Sequence, residues 1–343
     1  MNALTPGARR PEKALSRTRL AAAPVVLVLL AFSPDSAPDP GPNAGPVQGI
    51  VYTSSPNGHS EQIWIMNPDG SRARALTPAM DSLNERFPVW SPDGSAIAFL
   101  SNRHAPGRAR PAIFVMNADG TSAWKVGPDA IPYQGAPHFS PDGRQIVFAG
   151  GRMDGGPLKT DLYVMDVYGS EVRRLTDLDG FVSCPRWSPR GDLILFSKDI
   201  DQLMVVEVAS GRVSNALPAG VEGACGDWSP DGTRLAFSSG PDHQLPSFRE
   251  VLTTPSFPQE IFVFDMVHGE VTHLSEAGRH STYPRWSRDG DRIVFQGHIP
   301  PGGQRHAGFM PMPGVSELYT MQADGSDVRR LTHNSRLDGH PSW

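Results

Sequence analysis

The signatures of hydrolytic and nucleotide chemistry are missing from this sequence. It has no G-x-S-x-G elbow, no H-E-x-x-H and no Walker loop, so neither a catalytic serine, a zinc-binding helix nor a phosphate cradle announces an enzyme. Excess basic charge is missing too: 31 Lys plus Arg stand against 36 Asp plus Glu. That excludes the basic face on which phosphate backbones are held, and with it nucleic acid as a partner. No apolar run reaches spanning length, since the longest, Leu20 to Phe32, covers about 20 Å as a helix against a hydrocarbon core of roughly 30 Å. Cysteine is down to Cys184 and Cys225. Neither follows the apolar run directly, which excludes lipid attachment there.

Turn formers are abundant, with 35 Gly and 34 Pro. Such a composition suits many short strands joined by tight turns and argues against a helical bundle. Ahead of the apolar run stand Arg9, Arg10, Lys13, Arg17 and Arg19 with the single acid Glu12. This is the layout of a secretory signal, so residues 1–33 are expected to be a signal peptide cut near Ser33, with an uncleaved N-terminal anchor as the alternative. Residues 34–48 form a Pro/Gly-rich linker. Cleavage removes five basic residues and one acid, leaving 26 Lys plus Arg against 35 Asp plus Glu, a formal charge of −9.

From residue 49 onward the chain repeats itself. The first half of the unit reads PVWSPDGSAIAF from Pro88, PHFSPDGRQIVF from Pro137, PRWSPRGDLILF from Pro185, GDWSPDGTRLAF from Gly226 and PRWSRDGDRIVF from Pro284. The second half recurs as QIWIMNPDGSRARALT from Gln62 and, in its last copy, as ELYTMQADGSDVRRLT from Glu317. Each unit carries four short β-rich runs, here strands A to D, joined by turn chemistry such as Ser91-Pro92-Asp93-Gly94 between A and B and Asn67-Pro68-Asp69-Gly70 between C and D. The aspartates read as turn formers rather than calcium ligands, because each turn offers only one or two side-chain oxygens.

The first unit begins at Gly49 with a strand B, and the chain stops at Trp343 inside a strand A. Pairing these two ends supplies the missing partner and covers two open edges. The expected fold is therefore an all-β, six-bladed propeller of four-stranded antiparallel blades over residues 49–343, closed by its C-terminal strand on its N-terminal blade. One aromatic per unit, Trp90, Phe139, Trp187, Trp228, Trp286 and Trp343, is expected to pack between adjacent sheets. This repeat resembles that of the TolB-like β-propellers, here as a standalone propeller without the α/β domain that precedes it in TolB itself.

With the short turns at one end, the B-C and D-A connections lie at the other, and these are the long, variable segments on which binding residues concentrate. Phe248, Phe257, Phe309, Met310 and Met312 are candidates to anchor a partner, or else a local core folded over the rim. Arg86, His138, Arg186, Asp227, Arg285 and His340 stand just before or within the A strands and are expected at the axial channel or its mouth. There they would hold an acidic tail or small anion, or simply line water. Eight of the eleven histidines fall at this end, and the resemblance extends to metal-dependent lyases with histidine ligands at the channel mouth. No two of these histidines have a short ligand spacing, so no metal and no cofactor are expected. Cys184 and Cys225 each precede a blade Trp by three residues; a disulfide and two separate buried thiols both remain open. Together these features point to an exported, non-catalytic propeller, periplasmic or secreted, that binds a protein or peptide partner. A small-ligand or carbohydrate binder and a metal-assisted lyase or hydrolase are the alternatives. A membrane enters only through the uncleaved-anchor reading.

Overall fold

The computed structural model describes residues 49–55, 60–104, 111–152, 158–199, 201–243, 245, 259–275, 280–299 and 315–343, the side chains of 298, 299 and 315 excepted. The signal peptide, the linker and the loop residues Phe248, Phe257, Phe309, Met310 and Met312 lie outside them. Among the described residues every regular element is a strand, and no helix is long and apolar enough to cross a membrane.

The repeat units become antiparallel sheets in sequence order. In the second unit Glu85–Trp90, Ala96–Ser101, Ala112–Asn117 and Trp124–Lys125 hydrogen-bond one after another. The same order recurs in Val182–Trp187, Leu193–Lys198, Gln202–Glu207 and Val213–Asn215, and again in Ala224–Trp228, Arg234–Ser239, Glu260–Asp265 and Glu270–His273. In the third unit strand A is split into Tyr133–Gln134 and His138–Phe139, both paired with Gln145–Arg152. The last sheet has eight strands and falls into two halves. One half is His280–Trp286, Arg292–Ile299, Val315–Gln322 and Arg329–Arg330; the other is the C-terminal Leu337–Ser342 followed by Ile50–Ser55, Gln62–Met66 and Arg74–Ala75. The terminal strands pair antiparallel, with Val51 opposite Ser342 and Ser55 opposite Leu337.

Turn chemistry explains the uniform strand spacing. In Ser91-Pro92-Asp93-Gly94 the Ser91 hydroxyl donates to Asp93 Oδ1 at 2.6 Å, the Ser95 amide donates to the same oxygen at 3.0 Å, and Gly94 takes the left-handed φ of 74°. Where Arg190 replaces the aspartate, Ser188 Oγ donates instead to Asp192 at 2.9 Å. The turn survives because the acceptor has moved two residues along.

Each hydrophobic cluster is a seam between two neighbouring sheets or, in one case, between the two halves of the eight-stranded sheet. Ile113 meets Phe139, Ile146 and Phe148; Val147 and Leu162 meet Trp187 and Phe196; Leu195 and Val205 meet Trp228 and Phe237; Ala236 and Ile261 meet Trp286 and Phe295. Val51 and Ile63 meet Trp90 and Phe99, and Ile50 and Tyr52 meet Val294 and Leu318. Five of the repeat aromatics are buried in these seams, each contributing about 2–3 kcal/mol through apolar burial; Trp343 is only partly buried. At four of these contacts a C-D turn glycine, Gly70, Gly120, Gly169 or Gly325, sits against the neighbouring backbone, whereas Gly269 has nothing close. A Cβ on Gly120 would lie 2.5 Å from Leu76 O of the preceding unit, and one on Gly70 would lie 2.7 Å from Leu331 O of the last unit. Arg288 then reaches across the two chain ends and donates to Ser91 O at 3.1 Å.

Candidate functional site

At the end opposite the Pro-Asp-Gly turns, the A strands do not run regularly. Register shifts interrupt the pairing between Arg86 and Val89, Ser183 and Arg186, Ala224 and Asp227, and Thr282 and Arg285. At each shift one non-glycine residue is left-handed: Phe87 at φ 53°, Cys184 at 52°, Cys225 at 48° and Tyr283 at 54°, with His340 at 50° in the C-terminal strand. All five stand three residues before a blade tryptophan. A left-handed L-residue costs about 1–2 kcal/mol, and a bulge of this kind re-aims side chains at a sheet edge. Repeating it in five units turns a ring of unlike side chains toward one place.

That place is a recess of about 460 Å³. Arg86, Phe87, Asn102, Tyr133, Phe181, Ser183, Tyr283 and the two cysteines are among its walls. Cys184 and Cys225 form a disulfide across adjacent sheets, their Cα atoms 5.2 Å apart. Neighbouring inner strands therefore come within disulfide reach, because the bulge draws the equivalent positions together. The aromatic residues contact one another: Phe87 and His340 lie 3.9 Å apart between ring centroids, Tyr283 and His340 4.8 Å, and Phe87 and Tyr283 6.3 Å. Tyr133 meets Phe181 edge-on at 6.4 Å.

The six polar residues expected near the channel are brought together around this recess. Arg86 is exposed in its wall and ion-paired with Glu61. The other five form a belt among the A strands, with His138, Asp227 and His340 partly buried. Arg186 and Arg285 are 6% and 5% exposed. Arg186 pairs with Asp227 at 3.8 Å, and Asp227 Oδ2 accepts the Trp286 amide at 2.9 Å. Arg285 Nη1 donates to the carbonyls of Pro284 at 2.7 Å and Cys225 at 3.1 Å, binding one sheet to the next. His138 Nδ1 accepts the Trp187 amide at 3.2 Å, which places the proton of the neutral ring on Nε2.

Burial in positive surroundings sets the protonation of the belt. Desolvation and the charge of Arg285, against the pull of Asp227, bring the Arg186 guanidinium down to about 9. Desolvation, then Arg86, Arg285 and Arg186, bring His340 down to about 3. His138 falls well below the ordinary histidine value through burial and then Arg186 and Arg285. Desolvation raises Asp227 against the lowering influence of Arg285 and Arg186. Both imidazoles are neutral at pH 7.

Phe87, Tyr133, Phe181 and Tyr283 were not singled out by the sequence reasoning. Phe87 and Tyr283 share the register of Cys184, Cys225 and His340, so aligning the units on that column finds them. Tyr133 and Phe181 carry no such signal. Among the described residues no three His, Cys, Asp or Glu side chains gather as a metal would require.

The fold and the recess define a β-propeller. Residues 129–255 match the family described as the TolB beta propeller domain. Similar solved structures include TolB from Acinetobacter baumannii, with 22% identity, a TM-score of 0.67, and coverage of 86% of this chain and 66% of that one. Putative TolB from Agrobacterium tumefaciens shares 18% identity at a TM-score of 0.59, over 86% of this chain and 92% of that one. An oligogalacturonate lyase in complex with manganese is 15% identical at a TM-score of 0.53, over 82% and 73%. The chain thus spans just under two thirds of the Acinetobacter protein. No curated protein sequence matches it.

Proposed function

We propose that this chain is an exported six-bladed propeller, closed by its own termini, that binds a protein or peptide partner in the recess and on the long loops around it without transforming it. Closure is supported by the pairing of Val51 with Ser342 and by the packing of Ile50 and Tyr52 on Val294 and Leu318. The observation that carries the binding reading is the recess itself, where aromatic faces stand beside a charged rim on a rigid β scaffold. Aromatic side chains bring large contact area at low entropy cost, which suits anchoring of a partner's side chain. The propeller works outside the cytoplasm, periplasmic or secreted, in keeping with the leader. The alternative, a metal-assisted lyase, takes support from the manganese-bound lyase of similar fold, and it needs donors from the loops outside the described residues.

A photo-crosslinking amino acid at Phe181 in the exported protein tests the binding reading. The expected result is one dominant adduct with an extracytoplasmic protein, lost when Tyr283→Ala is added. Absence of any adduct from either Phe181 or Tyr133, together with manganese copurifying at one ion per chain, overturns it in favour of the lyase.

A further inference from the structure

The belt beneath the recess is out of electrical balance. Among the described residues Asp227 is the one carboxylate that acts on both buried arginines, ion-paired with Arg186 and influencing Arg285 through space, and the two histidines that complete the belt carry no charge. Arg86 adds a further positive group at the rim, already answered by Glu61. An uncompensated charge inside a protein is costly. Two polar atoms also lack partners among the described residues, Nε of Arg285 and Nδ1 of His340. Arg285 is 5% exposed and hydrogen-bonds the backbone of Cys225, a residue of the recess wall, while the His340 ring contacts Phe87 at a tilt and Tyr283 edge-on in the same wall. Surplus positive charge and an unused guanidinium donor therefore lie one hydrogen bond behind the cavity wall at Cys225.

We infer that the floor of the recess is a binding site for a compact oxyanion, a carboxylate or phosphate group that completes the balance of Arg186 and Arg285 beside Asp227 and is held by the free Nε–H of Arg285. Guanidinium groups suit this task because they stay charged and present donors in a plane matching an oxyanion. Asp227 stays in place through its bond to the Trp286 amide, so the anion binds next to it without displacing it. The inference deepens the partner-binding reading and rests on it: an acidic side chain or terminal carboxylate is the group a bound peptide would insert. A free ion is the other source of the same chemistry.

The test titrates the full mature chain with sodium acetate, sodium phosphate and a blocked tetra-aspartate peptide, each against sodium chloride at equal ionic strength. Thermal melting and the ring signals of histidine by NMR are read together. A saturable rise in melting temperature of about 2 °C or more, with the His340 ring titrating at a higher pH in the bound form, is the expected result. Affinity should fall at least about tenfold in Arg285→Gln. Should that variant fail to fold, the His340 shift in the wild-type protein decides alone, since a purely structural arginine pair would leave it unmoved. Peptide binding at least tenfold tighter than acetate assigns the anion to a partner's side chain, and comparable affinities assign it to a free ion. A response no greater than that to chloride for all three probes overturns the site. The crosslinking adduct at Phe181 does not depend on this outcome, so loss of the anion site and loss of the partner can be told apart.

Discussion

The two ends of the same strands are built on opposite principles. At the turn end each Ser-Pro-Asp-Gly satisfies itself: the carboxylates of Asp93 and Asp142 are held below the ordinary value first by the hydroxyls of Ser91 and Ser140 and then by backbone amides. At the recess end, left-handed Phe87, Cys184, Cys225, Tyr283 and His340 hold strained backbone, and guanidiniums are buried with too few acids. One end completes its bonding within a few residues. The other depends on contacts between sheets, and that is where a ligand has something to supply.

Removing the C-terminal strand attacks both ends at once and should have the largest effect. Truncation after Arg336 strips Ile50–Ser55 of one of its two partner strands and opens the seam of Tyr52 with Leu318. A loss of more than about 5 kcal/mol, enough to unfold most domains, is expected in urea titration. An unchanged midpoint would mean that the terminal pairing holds nothing together. Asp227→Leu comes next, because it leaves Arg186 and Arg285 without their shared carboxylate; about 3–5 kcal/mol should be lost. A loss under about 1 kcal/mol would show that the belt is already neutralised by other means. Replacing Cys184 and Cys225 by serine opens a link spanning 41 residues, for a cost of about 3–4 kcal/mol. The corresponding gain in melting temperature should vanish in wild-type protein treated with reductant.

The smallest effect, and the sharpest on the contrast between ends, is in pH. His340 titrates at about 3 when folded and near 6.5 when unfolded, so between these values the unfolded chain binds the extra proton. Stability therefore falls as pH drops below about 6.5, by roughly 1–2 kcal/mol at pH 5. His268, exposed at the turn end and bonded to Asp265, is raised instead. Its contribution is fully present below the unfolded value and disappears as pH rises through the folded one. Comparing denaturation at pH 5 and 7 in His340→Phe and His268→Asn should give pH dependences changed in opposite directions. The same sign in both would dissolve the distinction between ends.

Much of the fold was legible because it is local. The spacing of Trp90, Phe139, Trp187, Trp228 and Trp286 marks the units, a Ser-to-Gly turn with a nearby aspartate closes each A-B hairpin, and the strands after Gly49 and before Trp343 pair with each other. The site was legible in part. Arg86, His138, Arg186, Asp227, Arg285 and His340 were picked out by their place before or in strand A, and they do converge. The aromatic walls carry no repeat signature: Tyr133 lies in the outer piece of a split strand A and Phe181 in the connection just before Val182, and the path of such segments is set by what they pack against.

The sequence by itself determined the strands, their turns and the order of their pairing, since each is specified by hydrophobic alternation and backbone preferences over a few residues. Only the tertiary structure decided that Cys184 and Cys225 lie 5.2 Å apart at their Cα atoms and that Arg285 lies buried with its Nε unbonded among the described residues. Those facts depend on how far neighbouring sheets stand from one another and on a left-handed kink repeated around them, and distances between sheets arise from packing across tens of residues rather than from any local pattern.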